Sequence, residues 1–392
     1  LPSPVQTTAA KTSPKLCRQP QVSDKPAQAP DLGQRPAEKP VEKPDATKSA
    51  QQRLDQNKLE ENLKSEDVPK EVIQRIRENM KKFEERAAKD HLSPDEVTKI
   101  YEQVNRLLDS RDDKIISRAD KQILADQIMQ HSADPGHLDQ GYHATCGPTS
   151  LEARLFKTHP SEAAKLIADV GTTGQYKGKD GTTVSMTTND LKKDGEAMTN
   201  PPEDNERSYA SKLFQETALN LHYQDLRQRY VETPGATPGD RRTYGKPDKE
   251  QVVDSHNHKL KGNHLPTLGD LSDIEKKITG KRDADHYLCH KSVAGDEAKN
   301  GKIKSFKNEK EFAQALHDAK ASGKLPLTLW VDTRKSPFKS ETGGGEGGGH
   351  FVTVTDYDEK TGKVHVQNQW GYKNNHTGDR ALPLHKLYEA TQ

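Results

Sequence analysis

Residues 349–371 read GHFVTVTDYDEKTGKVHVQNQWG. Phe351, Thr353 and Thr355 alternate with Val352 and Val354, the period of two expected of a strand running to Tyr357. Asp358 to Gly362 holds turn-forming residues, and Lys363 to Gln367 reads as the antiparallel partner. This hairpin therefore carries an imidazole, His350, at its start and a carboxamide, Asn368, at its end, with Gln369, Trp370 and Gly371 following.

Working outward, Glu309 to Ala321 reads as a helix stopped by Gly323, and Pro326 to Asp332 (PLTLWVD) as a strand. Ser340 to Gly349 is Gly-rich. It lacks the Lys-Ser/Thr of a phosphate cradle and leads into a strand, so a flap beside His350 is expected. A helix begins at Cys146 as Cys-Gly-Pro-Thr-Ser and runs to His159, with Leu151, Leu155 and Phe156 inward. Ser161–Val170 and Ser208–Tyr223 also read as helices, and Lys177–Met186 as a hairpin turning at Asp180-Gly181. Residues 232–265 are polar and rich in Pro, Gly and His, a long loop within an insertion near 232–290.

Residues 58–131 read as helices of an N-terminal extension. Val72, Ile73, Ile76, Met80, Phe83 and Ala87 form one stripe. Ser93-Pro94-Asp95-Glu96 has the form of a capping box, followed by Val97, Ile100, Tyr101, Val104, Leu107 and Leu108. A third stretch, Ala119–Gln130, carries Ile123, Leu124, Ile128 and Met129. Such helices serve either as packing or as a pro-segment or lid. Residues 1–57 contain nine prolines and no Phe, Trp or Tyr, which predicts a disordered Pro-rich leader, either a linker to a larger parent chain or a plain disordered tail.

Composition narrows the function. Lys+Arg 61 against Asp+Glu 60 leaves a net charge of +1, with both signs interspersed, so no field favours nucleic acid. Mean hydropathy is −1.05, and no apolar run approaches the roughly 18–20 residues of a membrane span. Three cysteines, Cys17, Cys146 and Cys289, do not make a disulfide framework, although a Cys146–Cys289 bridge is open. The compartment is not determined: a secreted or delivered effector and a cytoplasmic protein fit equally.

The polar residues in chain order, Gln140, Cys146, His350 and Asn368, suit thiol chemistry. A helix N-terminus and a neighbouring imidazolium both stabilise a thiolate. A histidine at a strand start can take and return the proton, and an amide can fix its ring orientation. A Gln just before the nucleophile can supply one donor of an oxyanion hole, worth about 2.7–4 kcal/mol.

These residues resemble the papain-like cysteine peptidase fold. Cys146-Gly147-Pro148-Thr149-Ser150-Leu151 and Gly349-His350-Phe351-Val352-Thr353-Val354-Thr355-Asp356-Tyr357 are similar to its bacterial C39-like branch. C39-like proteins commonly have Asp as the third member, whereas Asn368-Gln369-Trp370-Gly371 is similar to the Asn-x-Trp-Gly of papain. The resemblance spans about residues 132–392. It implies an α+β, two-lobe thiol hydrolase with Cys146 as nucleophile, His350 as base and acid, Asn368 as orienter, Gln140 as oxyanion donor and Trp370 as a shield. It also implies a protein or peptide substrate, no cofactor and no metal. Thr149 and Ser150 stand where the papain branch has an aromatic and small residues, so the substrate pocket should differ. Two alternatives share the fold: a protein glutamine deamidase or transglutaminase-like effector, and a non-catalytic binding module. His256, His258, His264, Asp285, His286, Cys289 and His290 are zinc-ligand types without a standard spacing, so a solvated His-rich loop is expected there.

Overall fold

The structure, a computed structural model, describes residues 50–65, 67–193, 195–232, 250–261, 265–342 and 347–392. Helices α1 (Ala50–Leu63), α2 (Lys70–Lys89), α3 (Pro94–Asp109) and α4 (Arg118–Ala133) form the extension. The stripe Val72, Ile76, Met80, Phe83 and Ala87 is buried along α2, as its spacing requires. The Ser93 hydroxyl accepts from Glu96 N–H at 3.2 Å and caps α3. The return half of the expected box is not made. The Glu96 carboxylate instead accepts from Ser161 N–H at 2.9 Å and ties α3 to the helix that follows Pro160.

Helix α1 begins inside the stretch expected to be leader. Leu59 and Leu63 are buried, and Asn105 Nδ2 donates to Asp55 O at 2.9 Å, so packing on α3 stabilises a turn whose sequence is polar. The remainder of the leader, with Cys17, lies outside the described residues.

Next come α5 (Cys146–Thr158), α6 (Pro160–Thr173), the hairpin β1 (Gln175–Lys177) and β2 (Thr183–Ser185), and α7 (Tyr209–Tyr223). β3 (Gln228–Glu232) and β4 (Glu250–Asp254) pair antiparallel, and α8 (Leu268–Thr279) follows. Helices α1 to α8 share one apolar cluster. The second unit is a six-stranded sheet of β5 (Tyr287–His290), β6 (Lys304–Phe306), β7 (Leu327–Asp332), β8 (Gly349–Asp358), β9 (Lys363–Asn368) and β10 (Leu382–Pro383), in the order β10-β9-β8-β7-β5-β6. β5 runs parallel to β6 and β7; the other pairings are antiparallel. α9 (Lys291–Ala294) links β5 to β6. α10 (Glu309–Ala321) and α11 (Leu384–Ala390) cover one face with Phe312, Leu316 and Leu387 against Val352, Val354, Val364 and Val366. Trp330 and Phe351 join the helical cluster instead, and α5 packs on β8. The chain is thus a mixed α+β protein, and no described helix is long and apolar enough to cross a membrane.

The polar stretch near 232–290 is less of an insertion than its composition implies. Leu268, Leu271, Ile274 and Ile278 bury one face of α8, and β5 is an internal strand of the sheet. The helical spacing was present, but short apolar stripes were diluted by neighbouring Lys, Asp and His. Residues 233–249 and 262–264, including His264, lie outside the described residues, as do 343–346 of the expected flap. Cys146 and Cys289 are not joined by a disulfide.

Candidate active site

Strand pairing places Asn368 opposite Val352, two residues along from His350. His350 Nε2 lies 2.9 Å from Asn368 Oδ1. The orientation of that amide is set elsewhere, because Asn368 Nδ2 donates to Glu341 Oε2 at 2.8 Å. The oxygen therefore faces the ring, and the ring carries its proton on Nε2 and donates it. Nδ1 is left as the lone-pair nitrogen; it is buried, with no hydrogen-bond partner among the described residues. Trp370 stacks on the imidazole, with centroids 4.4 Å apart and planes at 26°. Its backbone N–H also donates to Asn368 Oδ1 at 3.3 Å.

Cys146 is the first residue of α5, and its neighbour Gly147 lies against the Phe351 ring that follows His350: a Cβ at 147 would sit 3.2 Å from Phe351 Cδ2. No side chain caps this helix. The flanking Thr145 turns its hydroxyl away and donates to Gln215 Oε1 at 2.7 Å, so the positive helix end is not neutralised by a cap. Gln215 continues into α5 itself, donating to Glu152 Oε2 at 3.1 Å, and Ser211 donates to Glu152 Oε1 at 2.9 Å. Burial pushes the Glu152 carboxyl up to about 8, opposed by these hydrogen bonds.

Gln140 reaches the same place from the loop before α5. Its backbone N–H donates to Gln369 O at 3.0 Å, between Asn368 and Trp370. Its side-chain Nε2 donates to His143 O at 2.5 Å, so one amide hydrogen is committed to its own loop. Cys146, His350 and Gln140 are fully buried, and Asn368 is 2% exposed, so the centre is closed to solvent.

Burial pushes the His350 imidazole down to about 4, and the bond to Asn368 recovers only part of the loss.

Several residues that matter here had no signal in sequence spacing. Glu341 orients Asn368 and lies 2.7 Å from His376 Nε2 through its other oxygen. Asn375 accepts from Asn368 N–H at 2.8 Å and donates to Gly136 O at 3.0 Å. His143 lies among Glu196, Glu232 and Glu250.

Among the described residues, the zinc-ligand types of this stretch do not converge on one point, in keeping with the loop expected there. His256 and His258 are exposed, His290 is bonded to Ser292 and Lys307 O, and burial raises the Cys289 thiol to about 12. Among the described residues, the ligand-type atoms that converge are those of His143, Glu232 and Glu250, within 4.8 Å of one another. Arg207 occupies both oxygens of Glu232, at 2.9 and 2.6 Å, which accounts for that carboxylate without a metal. In comparisons with protein-family models, curated proteins and solved structures, nothing matches this chain.

Proposed function

We propose that this chain is a papain-like cysteine peptidase in which Cys146 attacks a peptide carbonyl. One observation carries the reading: an imidazole whose Nε2 is held by an oriented carboxamide, whose Nδ1 is buried and unbonded, and whose face is covered by Trp370. A histidine set only for packing would gain nothing from leaving one nitrogen without a partner, since a buried unsatisfied polar atom costs about 1–3 kcal/mol. The two-lobe arrangement draws support from the two apolar clusters, one helical and one around the sheet, that meet where α5 packs on β8.

In this mechanism the Cys146 thiol proton moves to His350 Nδ1 as sulfur bonds to the carbonyl carbon. The carbonyl π electrons move to oxygen, which accepts from the Cys146 backbone N–H and the Gln140 amide. The C–N bond then breaks as His350 protonates the leaving amine. Water, deprotonated by His350, adds to the acyl carbon; the C–S bond breaks, the acid is released and His350 returns the proton to the Cys146 sulfur. Asn368 keeps the ring aligned through both transfers. The closed centre requires an opening motion for substrate, and the neutral ring is the form competent to accept the first proton.

The test is a panel of peptides and intact proteins incubated with wild type and Cys146→Ala, read by mass spectrometry. Fragments from wild type alone support a peptidase. A gain of about one mass unit without cleavage replaces it with glutamine deamidation. No product from wild type, or equal product from Cys146→Ala, sinks the enzyme reading.

A further inference from the structure

The loop 139–145, which ends where α5 begins, is held by contacts that the proposed chemistry does not use. Both ring nitrogens of His143 face carboxylates. Nε2 is 3.1 Å from Glu196 Oε1, and Nδ1 is 2.9 Å from Glu250 Oε1 and 3.5 Å from Glu232 Oε1. Carboxylate oxygens are acceptors, so each contact calls for N–H on the ring, and the ring that satisfies both sides is the imidazolium. The same carboxylates accept from the loop backbone: Tyr142 N–H to Glu196 at 3.3 Å, and Ala144 N–H to Glu250 at 2.9 and 3.2 Å. They come from three separate places, the 3-10 turn Gly195–Met198, β3 and β4. Gly141, at φ +59°, is seated directly on the Glu196 carboxylate, where a Cβ would collide with it.

We propose that His143 is a positioning residue: clamped as an imidazolium between Glu196, Glu232 and Glu250, it holds the loop that aims Gln140 and leads into Cys146. The link to Gln140 is direct, since its Nε2 donates to the His143 carbonyl at 2.5 Å. The catalytic consequence rests on the peptidase reading; the clamp does not. The charged groups around the ring are the three carboxylates and the Arg207 fork on Glu232. Among the described residues, Tyr230 donates its hydroxyl to Glu232, the Lys212 charge also acts on Glu232, and the buried Asp139 carboxyl interacts with Glu196. Burial and Arg207 oppose a charge on His143, but the Glu232, Glu196 and Glu250 carboxylates outweigh them and raise it to about 10.

NMR of histidine-labelled full-length protein at about pH 8, where an ordinary imidazole of pKa about 6.5 is neutral, should show a charged ring that disappears in His143→Gln. On a peptide that wild type cleaves, His143→Gln and the near-isosteric Glu250→Gln should each lower kcat about 100-fold, as displacing a catalytic group by about 1 Å does, with little change in KM. Glu250→Gln carries the kinetic test if His143→Gln does not fold. A neutral ring in wild type, wild-type kcat in Glu250→Gln, or stoichiometric Zn2+ uptake that releases the ring proton would each overturn the proposal. If wild type cleaves nothing, the peptidase reading and the catalytic half of this proposal fall together. A persistent charged ring, with faster exchange of the Tyr142 and Ala144 amides in His143→Gln, then still supports the clamp.

Discussion

His350 is fixed through one ring nitrogen, Nε2. Glu341 turns the Asn368 amide, the amide oxygen accepts from Nε2–H, and Trp370 stacks on the ring. Removing the last of these should move the ring most. In Trp370→Ala, water reaches the imidazole and its pKa should rise from about 4 towards the ordinary value of about 6.5, followed by NMR titration of the ring protons. The same change removes a fully buried indole and should cost about 3–5 kcal/mol in denaturant unfolding. Glu341→Ala frees the Asn368 amide to flip. We expect kcat to fall about 10-fold, part of a general-base contribution of about 10²–10⁴-fold, with KM unchanged. A flip-tolerant site would show no change in either constant.

Helix α5 is positioned by a buried ion pair as well as by apolar packing. Arg154 on α5 bonds Glu275 of α8, lies 2.8 Å from His286 Nδ1, and donates to Tyr287 Oη on β5 at 2.6 Å. Burial works against the Glu275 charge, but Arg154 holds its carboxyl down at about 2. One guanidinium thus ties α5 to α8 and to the sheet. Arg154→Met strands a buried carboxylate and should cost about 3–5 kcal/mol, measured by urea unfolding. Arg154→Met with Glu275→Leu removes both charges and should recover most of that loss. An equal loss in single and double variants would show that the pair is not the cause.

For the molecule as a whole, buried histidines give stability opposite slopes on the two sides of neutrality. His350 at about 4 and His131 at about 3 are both lowered by burial. Below about 6.5 the unfolded chain binds protons that these rings refuse, so stability falls as pH drops through that window towards 3–4. His143, raised to about 10, does the reverse. Its contribution is complete below about 6.5 and is lost as pH climbs towards 10. Melting temperature against pH should therefore form a dome, and His143→Gln should flatten its alkaline side while leaving the acid side in place. An alkaline branch that survives in His143→Gln would show that other groups create it.

Local pattern was enough for the elements. The alternation around Val352 and Val354, the cap at Ser93 and the Gly323 stop are properties of neighbouring residues, and they give β8, α3 and the end of α10 where they were expected. The order Gln140, Cys146, His350, Asn368 was also legible, because a hairpin and a helix start are short-range features. Less visible were α8 and β5, whose apolar positions are diluted by polar neighbours, and the polar start of α1, which depends on packing against α3. The chain alone could not show that Glu341 turns the Asn368 amide, that burial lowers the pKa of His350, or that three carboxylates from separate segments close on His143. Orientation and charge at a buried site depend on groups far apart in sequence and on the loss of water between them, and both come into being only when the two apolar clusters meet.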